Sequence, residues 1–348
     1  MGRYVTSMRS LKIGLVYETF EAYLPKAGDP VDAHVEFEPE STIVALESAI
    51  ASLGHRPVRL GSPPSLLERV ARGECGEIDA VFNLAEGFGG RNREAWGPVL
   101  LEMAGIPTIG SDALSLSLSL DKAWANRWVA AAGVKVAPQT TMTREVEARE
   151  APLPAPFPLF VKPRWEGSAK GIHAKSRVSN REELAREVTR IVGDYAQPAL
   201  VEAFIPGAEF TVTLIGNDPV VAFPVVQRAL EVESGIGLHA VEGPGVDHDE
   251  SPLEHITPGV LEPALEERLA AEAKRAFRCL ECLDFARVDF RLDASGEPVF
   301  LEINPLPTFA TDGTFAILAE LEGVSLSEML GRCVSAGLLR LGLVEERA

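Results

Sequence analysis

Residues 284–307, DFARVDFRLDASGEPVFLEINPLP, place an arginine, two carboxylates and an asparagine where two adjacent strands can present them together. The alternating run over 285–292 predicts one strand, Asp293-Ala294-Ser295-Gly296 a tight turn, and 298–303 the returning strand. Side chains alternate across a strand, so Arg287, Asp289 and Arg291 should share one face, and Glu302 and Asn304 one face of the partner. Asp289, Glu302 and the Asn304 amide oxygen are hard donors. They suit magnesium, which takes near-octahedral oxygen coordination and is usually held by one or two carboxylates plus substrate phosphates. A solvated face carrying ion pairs is the plain alternative. Against it, Glu-x-Asn followed by prolines at the end of an apolar strand is poor turn chemistry and good site chemistry.

A phosphate-binding element is also required, and no GxxxxGK[ST] occurs anywhere in the chain. The chain offers instead Glu166-Gly167-Ser168-Ala169-Lys170-Gly171, between strands expected over 158–163 and 172–176. A glycine-bracketed hairpin tip can close over phosphates with its backbone N–H groups, and its flexibility makes it a lid. Such tips also serve as plain turns.

The hairpin resembles the metal-binding hairpin of the ATP-grasp ligases, most closely the R-x-D … E-x-N-x-x-P-G pattern of the D-alanine–D-alanine ligase group. Three further blocks are similar to that family in order and spacing: residues 81–138, FVKPRWEGSAKG at 160–171, and LVEAFIPGAEFTV at 200–212. With the hairpin they span roughly residues 78–310. The resemblance implies an ATP-grasp fold, α/β with an α+β central part: an N-terminal parallel α/β domain (1–115), a central lid domain (116–205) and a C-terminal antiparallel-sheet domain that binds metal (206–348). It implies ATP with magnesium or manganese as cofactors. Lys122, Lys162, Glu166, Gly167 and Ser168 would then meet the nucleotide phosphates, while Glu202, Phe204 and Glu209 would read adenine and ribose, Glu209 holding the ribose. Asp289, Glu302 and Asn304 would hold the metal. Arg287 would stabilise the oxyanion and the transferring phosphoryl group, Ser168 would help fix the first substrate, and Glu36 would hold that substrate's ammonium. The implied reaction is a carboxylate–amine ligation joining two amino acids through an acyl phosphate, with release of ADP and phosphate.

The resemblance weakens where the amino acids would bind. In place of the family's GG-x-S-x-E-x-x-VS stands Val35-Glu36-Phe37-Glu38-Pro39-Glu40-Ser41, and Glu38 and Glu40 compete with Glu36 for the ammonium. Glu86 replaces a histidine in Glu86-Gly87-Phe88-Gly89-Gly90-Arg91-Asn92-Arg93-Glu94. Residues 235–249 replace a loop that carries tyrosine and lysine; His239 and His248 lie there and are read as surface histidines. After Asn304, Thr308 stands at the family's glycine position and Gly313-Thr314 at its serine-leucine position. These changes predict that D-alanine is not the efficient acceptor, leaving open a different acceptor in secondary metabolism or an ATP-binding relative without ligase activity.

Length and composition are compatible with this reading. The chain has 348 residues, is 46% hydrophobic and can bury a sizeable core. Its formal net charge of −18 argues against nucleic acid, because phosphate backbones reward clustered lysine and arginine. Cations for ATP must therefore be concentrated locally, at Lys122, Lys162 and Arg287. Residues 1–10 lead into a strand over 11–17, not into an apolar signal core, and no run reaches the length of a membrane span. Four scattered cysteines make no disulfide scaffold, and the Cys279/Cys282 pair reads as buried thiols because a second ligand pair is lacking. A cytoplasmic homodimer acting on small amino-acid substrates is expected. Helices are expected over 41–53, ending at Gly54, over 121–132, ending at Gly133, and over 325–341, with a proline-rich surface connection over 143–158.

Overall fold

The computed structural model describes residues 5–6, 9–231, 233–237 and 261–346. Three larger sheets follow one another along the chain, and a short antiparallel ladder pairs Val5–Thr6 with Glu345–Glu346. Strands β1 (Lys12–Val16), β2 (Arg56–Gly61), β3 (Ala80–Asn83) and β4 (Thr108–Ile109) form a parallel sheet in the order β2-β1-β3-β4. Helices α1 (Glu40–Ser52), α2 (Pro63–Ala71) and α3 (Trp96–Ala104) supply its crossovers. The helix expected over 41–53 is α1; of an apolar stripe Ile43, Leu46, Ile50 and Leu53, the first three are buried, together with Ala49, while Leu53 is half-buried. They pack in one core with Leu11, Ile13 and Leu15 and with Met329, Leu330, Cys333 and Val334 from the far end of the chain.

Helices α4 (Ala113–Leu120) and α5 (Lys122–Ala131) lead out of this sheet. Asp121 caps α5 by accepting from Trp124 N at 3.2 Å, which places Lys122 at the first turn. Four strands then build an antiparallel lid sheet: β5 (Gln139–Met142), β6 (Leu159–Pro163), β7 (Arg177–Val178) and β8 (Ala199–Ala203), ordered β5-β8-β6-β7. The strand expected over 172–176 is not formed. Ala174–Ser176 is a single 3-10 turn, closed because the Ser176 hydroxyl accepts from His173 N at 3.1 Å, and strand pairing resumes only at Arg177. The connection over 143–158 likewise contains a short helix, α6 (Glu145–Glu150). Glu147 caps it, accepting from Thr143 N at 2.7 Å and Arg144 N at 3.1 Å. Helix α7 (Arg181–Tyr195) covers the apolar face of the lid with Leu184, Val188 and Ile191.

The third sheet comprises β9 (Glu209–Ile215), β10 (Val221–Ala222), β11 (Val226–Arg228), β12 (Phe285–Leu292) and β13 (Pro298–Asn304). Its order is β10-β9-β12-β13, with β11 also paired to β9, and every pairing is antiparallel. Helix α8 (Pro263–Cys279) precedes the hairpin; α9 (Thr314–Glu322) and α10 (Leu326–Arg340) follow it. Register sorts the side chains into two faces. Phe210, Val212, Leu214, Ala286, Val288 and Phe290 bury against Leu269, Ala273 and Phe277 of α8 and against Ala125 and Val129 of α5. The opposite face carries Glu209, Thr211, Arg287, Asp289 and Arg291, matched across the ladders as Glu209 with Arg291, Thr211 with Asp289, and Asp289 with Glu302. All four cysteines are free thiols. Among the described residues no helix is long and apolar enough to cross a membrane.

Candidate active site

The hairpin has the predicted form, with a bulge between Asp289 and Phe290. Asp289 Oδ1 accepts from the Thr211 hydroxyl at 2.7 Å, and Oδ2 from Arg287 Nε at 3.3 Å. Glu302 Oε2 lies 3.2 Å from Lys122 Nζ, and Oε1 lies 3.4 Å from the Asn304 amide. Burial alone would raise the Glu302 carboxyl; Lys122, Lys162 and Arg287 outweigh it and hold it at about 2. Glu302 is therefore ionised at neutral pH. Two carboxylates paired across a ladder, with an amide beside them, fit a hard cation. No group of three or more histidine, cysteine or acidic side chains able to hold a metal occurs among the described residues. The donor set thus suits an ion that completes its coordination from phosphate oxygens.

Above the hairpin lies a cleft of about 270 Å³, lined by Lys122, Lys162, Glu166, Gly167, Ser168, Glu202, Phe204, Glu209, Arg287, Asp289 and Glu302. Eleven residues proposed from distant parts of the sequence thus meet in one place. Lys162 Nζ is 2.9 Å from Glu202 Oε1, and Glu202 and Glu302 keep its ammonium charged against the cost of burial. Lys122 donates to the Glu166 carbonyl as well as pairing with Glu302, so it ties the loop to the hairpin. At the loop tip, Ser168 and Ala169 have φ of 46° and 58°, in the left-handed region that costs a non-glycine residue roughly 1–2 kcal/mol. Ser168 itself is exposed. Phe204 is clasped by guanidinium groups, Arg177 at 4.5 Å and Arg291 at 5.3 Å from its ring centre. Burial raises the Glu209 carboxyl to about 7, with Arg291 opposing and Asp289 adding to the rise. Asn304 does not line this cleft and reaches the group only through Glu302.

The structure separates the three glutamates that compete in the sequence. Glu36 is buried, its Oε1 accepting from Arg93 at 2.8 Å and Gly167 N at 2.6 Å, its Oε2 from Lys170 at 2.8 Å. Burial opposes its charge, but Arg93 and Lys170 prevail and hold the carboxyl at about 2. Gly167 is required here: a Cβ would stand 2.8 Å from Glu36 Oε1. Glu38 is buried without a cationic partner among the described residues, accepting from Thr42 at 3.0 Å and Phe309 N at 2.7 Å, and burial raises its carboxyl. Glu40 points outward to Arg59 at 2.5 Å. Arg93, 2% exposed, lies 3.4 Å from Glu86, 3.9 Å from Glu94 and 3.7 Å from Glu166. Burial and the neighbouring carboxylates push Glu86 well up and Glu94 to about 7.

Arg93, Lys170, Arg228 and Arg291 carry no role in the sequence reading. Arg93 and Lys170 lie inside motifs quoted above, but only the fold shows that both turn onto Glu36. Arg291 has a readable signal, since alternation puts it on the face of Arg287 and Asp289; it donates to the Gly207 carbonyl at 3.2 Å and the Gly235 carbonyl at 2.6 Å. Arg228 ends β11 directly across from Glu209. His239 and His248 lie outside the described residues.

Residues 129–335 match the family model described as the D-ala D-ala ligase C-terminus. The chain is 34% identical to a D-alanine–D-alanine ligase of Deinococcus radiodurans over 311 residues, 86% of this chain and 84% of that protein. Among solved structures it superposes on the VanG D-Ala:D-Ser ligase of Enterococcus faecalis with a TM-score of 0.67 at 21% identity, over 94% of this chain and 100% of that one. The D-alanine–D-alanine ligase of Bacillus anthracis complexed with ATP gives 0.65 at 18% identity, over 95% and 98%.

Proposed function

Since the chain belongs to the D-alanine–D-alanine ligase family and is an ATP-dependent ligase of the ATP-grasp type, we propose that it joins D-alanine, as donor, to a second amino acid through an acyl phosphate. The observation that carries this reading is the polar face of the third sheet. There Asp289 and Glu302 oppose each other while Lys122 and Lys162 converge on Glu302. Phosphates entering the cleft would take over these lysines. Magnesium or manganese held by Asp289, Glu302 and Asn304 would neutralise phosphate charge during transfer.

A donor carboxylate oxygen attacks the γ-phosphorus of ATP, the bond to the bridging oxygen breaks and ADP leaves. The amine of the second substrate, having lost its ammonium proton, attacks the acyl carbon. The carbonyl electrons move to oxygen, then return as the bond to phosphate breaks, and the nitrogen gives up its remaining extra proton to the departing phosphate, leaving an amide and inorganic phosphate. Arg287 stands on the strand that presents Asp289 and supplies positive charge to the transferring phosphoryl group and then to the oxyanion. Loop residues 166–171 cover the phosphates, with Ser168 at the tip facing the first substrate. Glu36 anchors that loop through Gly167 and Lys170, so a donor ammonium reaches it only by displacing Lys170. Glu209 accepts a ribose hydroxyl.

The test is nucleotide analysis of the purified protein with ATP, magnesium and each amino acid in turn, followed by mass spectrometry of the product. ADP and phosphate released in step with an amide are expected. Release of AMP and pyrophosphate would remove the acyl-phosphate route.

A further inference from the structure

Arg228 stands on the polar face of the third sheet, across from Glu209, with no carboxylate in hydrogen-bond contact among the described residues. Its Nε donates to the Thr211 hydroxyl at 3.3 Å and its Nη2 to the Thr314 hydroxyl at 2.6 Å, both neutral acceptors. No carboxylate among the described residues forms an ion pair with it; burial and its neighbour Arg287 disfavour its charge, and Asp289 and Glu209, farther off, offset only part of that. The two other arginines on this face differ: Arg287 has Asp289 at 3.3 Å, and Arg291 has Glu209 at 3.9 Å plus two carbonyls. A desolvated guanidinium beside another cation is costly unless an anion joins it. The Thr211 hydroxyl gives its proton to Asp289, so that route leads to a carboxylate already engaged.

Thr314 opens α9, whose cap residue Gly313 has no side chain to satisfy the first N–H groups. The positive end of that helix therefore adds to the two guanidinium groups. Thr308, six residues earlier, lines the cleft. Strand order decides which ligand arrives here. From β11 through β9 and β12 to β13 is three steps, about 14 Å across a sheet at the usual spacing, so the Arg228 backbone is remote from that of Glu302, on which Lys122 and Lys162 converge, although its side chain reaches toward Asp289 through the Thr211 hydroxyl. Lys122 and Lys162 gather phosphate charge at that far edge, which leaves Arg228, beyond Asp289, for an anionic group of a second molecule.

Resting on the ligase reading above, we propose that Arg228 is a specificity-determining residue that binds the carboxylate of the amine-bearing second substrate, with Thr314 holding its guanidinium in position. A charge-assisted bond of this kind separates an acid from its amide by roughly ten- to a hundredfold. The experiment offers the enzyme ATP, magnesium and equal concentrations of D-alanine and D-alaninamide, and compares the two dipeptide products by mass spectrometry. Wild type should favour the acid over the amide; in Arg228→Ala the acid:amide product ratio should fall about ten- to a hundredfold, while titration with an ATP analogue shows unchanged nucleotide affinity. Arg228→Lys, which keeps the charge but not the fork, should fall between, and Thr314→Val should lose a smaller part of the preference. These milder variants read the same ratio if Arg228→Ala does not fold. An unaltered product ratio in Arg228→Ala and Arg228→Lys, with turnover intact, would overturn this assignment alone. Wild type that makes neither product nor ADP would overturn the ligase reading with D-alanine as donor, and this assignment with it.

Discussion

The two ends of the cleft pair carboxylates with cations on different plans. At the hairpin end, Glu302 is matched by Lys122 at 3.2 Å and lies within the field of Lys162 and Arg287, while Asp289 holds a hydroxyl and a long contact to Arg287. Lysines are flexible point charges, and phosphate can replace a carboxylate as their partner. At the N-terminal end, Glu36 is already saturated by Arg93, Lys170 and a backbone N–H, and Arg93 is in turn ringed by Glu86, Glu94 and Glu166. One end is poised to exchange partners with a ligand. The other is a closed network that ties the phosphate loop to the N-terminal sheet. A carboxylate in a motif therefore does not announce its job; its competing partners do.

The largest effect should come from opening the closed end. Glu36→Ala takes the shortest carboxylate contact from buried Arg93 and removes one of the two carboxylates on Lys170, leaving both to Glu166 and Arg93 also to Glu86 and Glu94; breaking a buried ion pair costs up to about 3–5 kcal/mol, and chemical denaturation should show the loss directly. A variant as stable as wild type would mean that the network carries no structural weight. Glu302→Ala should do the reverse, leaving the melting transition near that of wild type while turnover falls on the order of a hundredfold or more. Near-normal turnover would sink the metal assignment. Next in size is Lys162→Ala: losing a charge-assisted contact of roughly 1.5–3 kcal/mol should weaken ATP-analogue binding or slow the chemical step. Equal affinity and equal rates in both proteins would refute it.

A pH experiment sharpens the same contrast. Burial raises the Glu94 carboxyl from its ordinary 4.5 to about 7, so the folded protein keeps a proton that the unfolded chain has lost. That contribution to stability is complete below about pH 4.5, is lost as pH rises toward 7, and stays lost above. Glu94→Gln cannot ionise, so it should gain on the order of 1–2 kcal/mol over wild type at pH 8 and nothing at pH 4.5, less than the full linkage because glutamine gives up its attraction to Arg93. Melts at the two pH values would show it, and a pH-independent difference would contradict the buried-carboxylate picture. The smallest change is expected for Ser168→Ala at the exposed loop tip, which should raise the KM for the amino-acid donor severalfold without altering nucleotide affinity.

The nucleotide end was legible because its signals are local. A period-two pattern put Arg287, Asp289 and Arg291 on one face and the turn set the return strand opposite, while the bulge between Asp289 and Phe290, which no local pattern signals, brought Glu302 rather than Leu301 across from Asp289. Helix stops at Gly54 and Gly133 and the helix start at Asp121 were equally local, and the observed helices begin or end within a residue or two of them. Where reading along the chain failed, at residues 172–176 and at α6, one side-chain hydrogen bond to the backbone outweighed strand or loop propensity.

By itself, then, the sequence determined which residues could form the hairpin, the loop and the apolar stripes, since alternation and capping depend on neighbours a few positions away. Only the tertiary structure decided which charges are paired. Glu36, Glu38 and Glu40 are spaced two residues apart and chemically alike, yet one is locked by Arg93 and Lys170, one is buried on a backbone N–H of Phe309, and one meets solvent beside Arg59. Arg228 and Thr314 lie 86 positions apart and meet because β11 pairs with β9 while α9 packs beside the same sheet. Coulomb and desolvation energies depend on distance through space and on burial, and neither quantity is a function of separation along the chain.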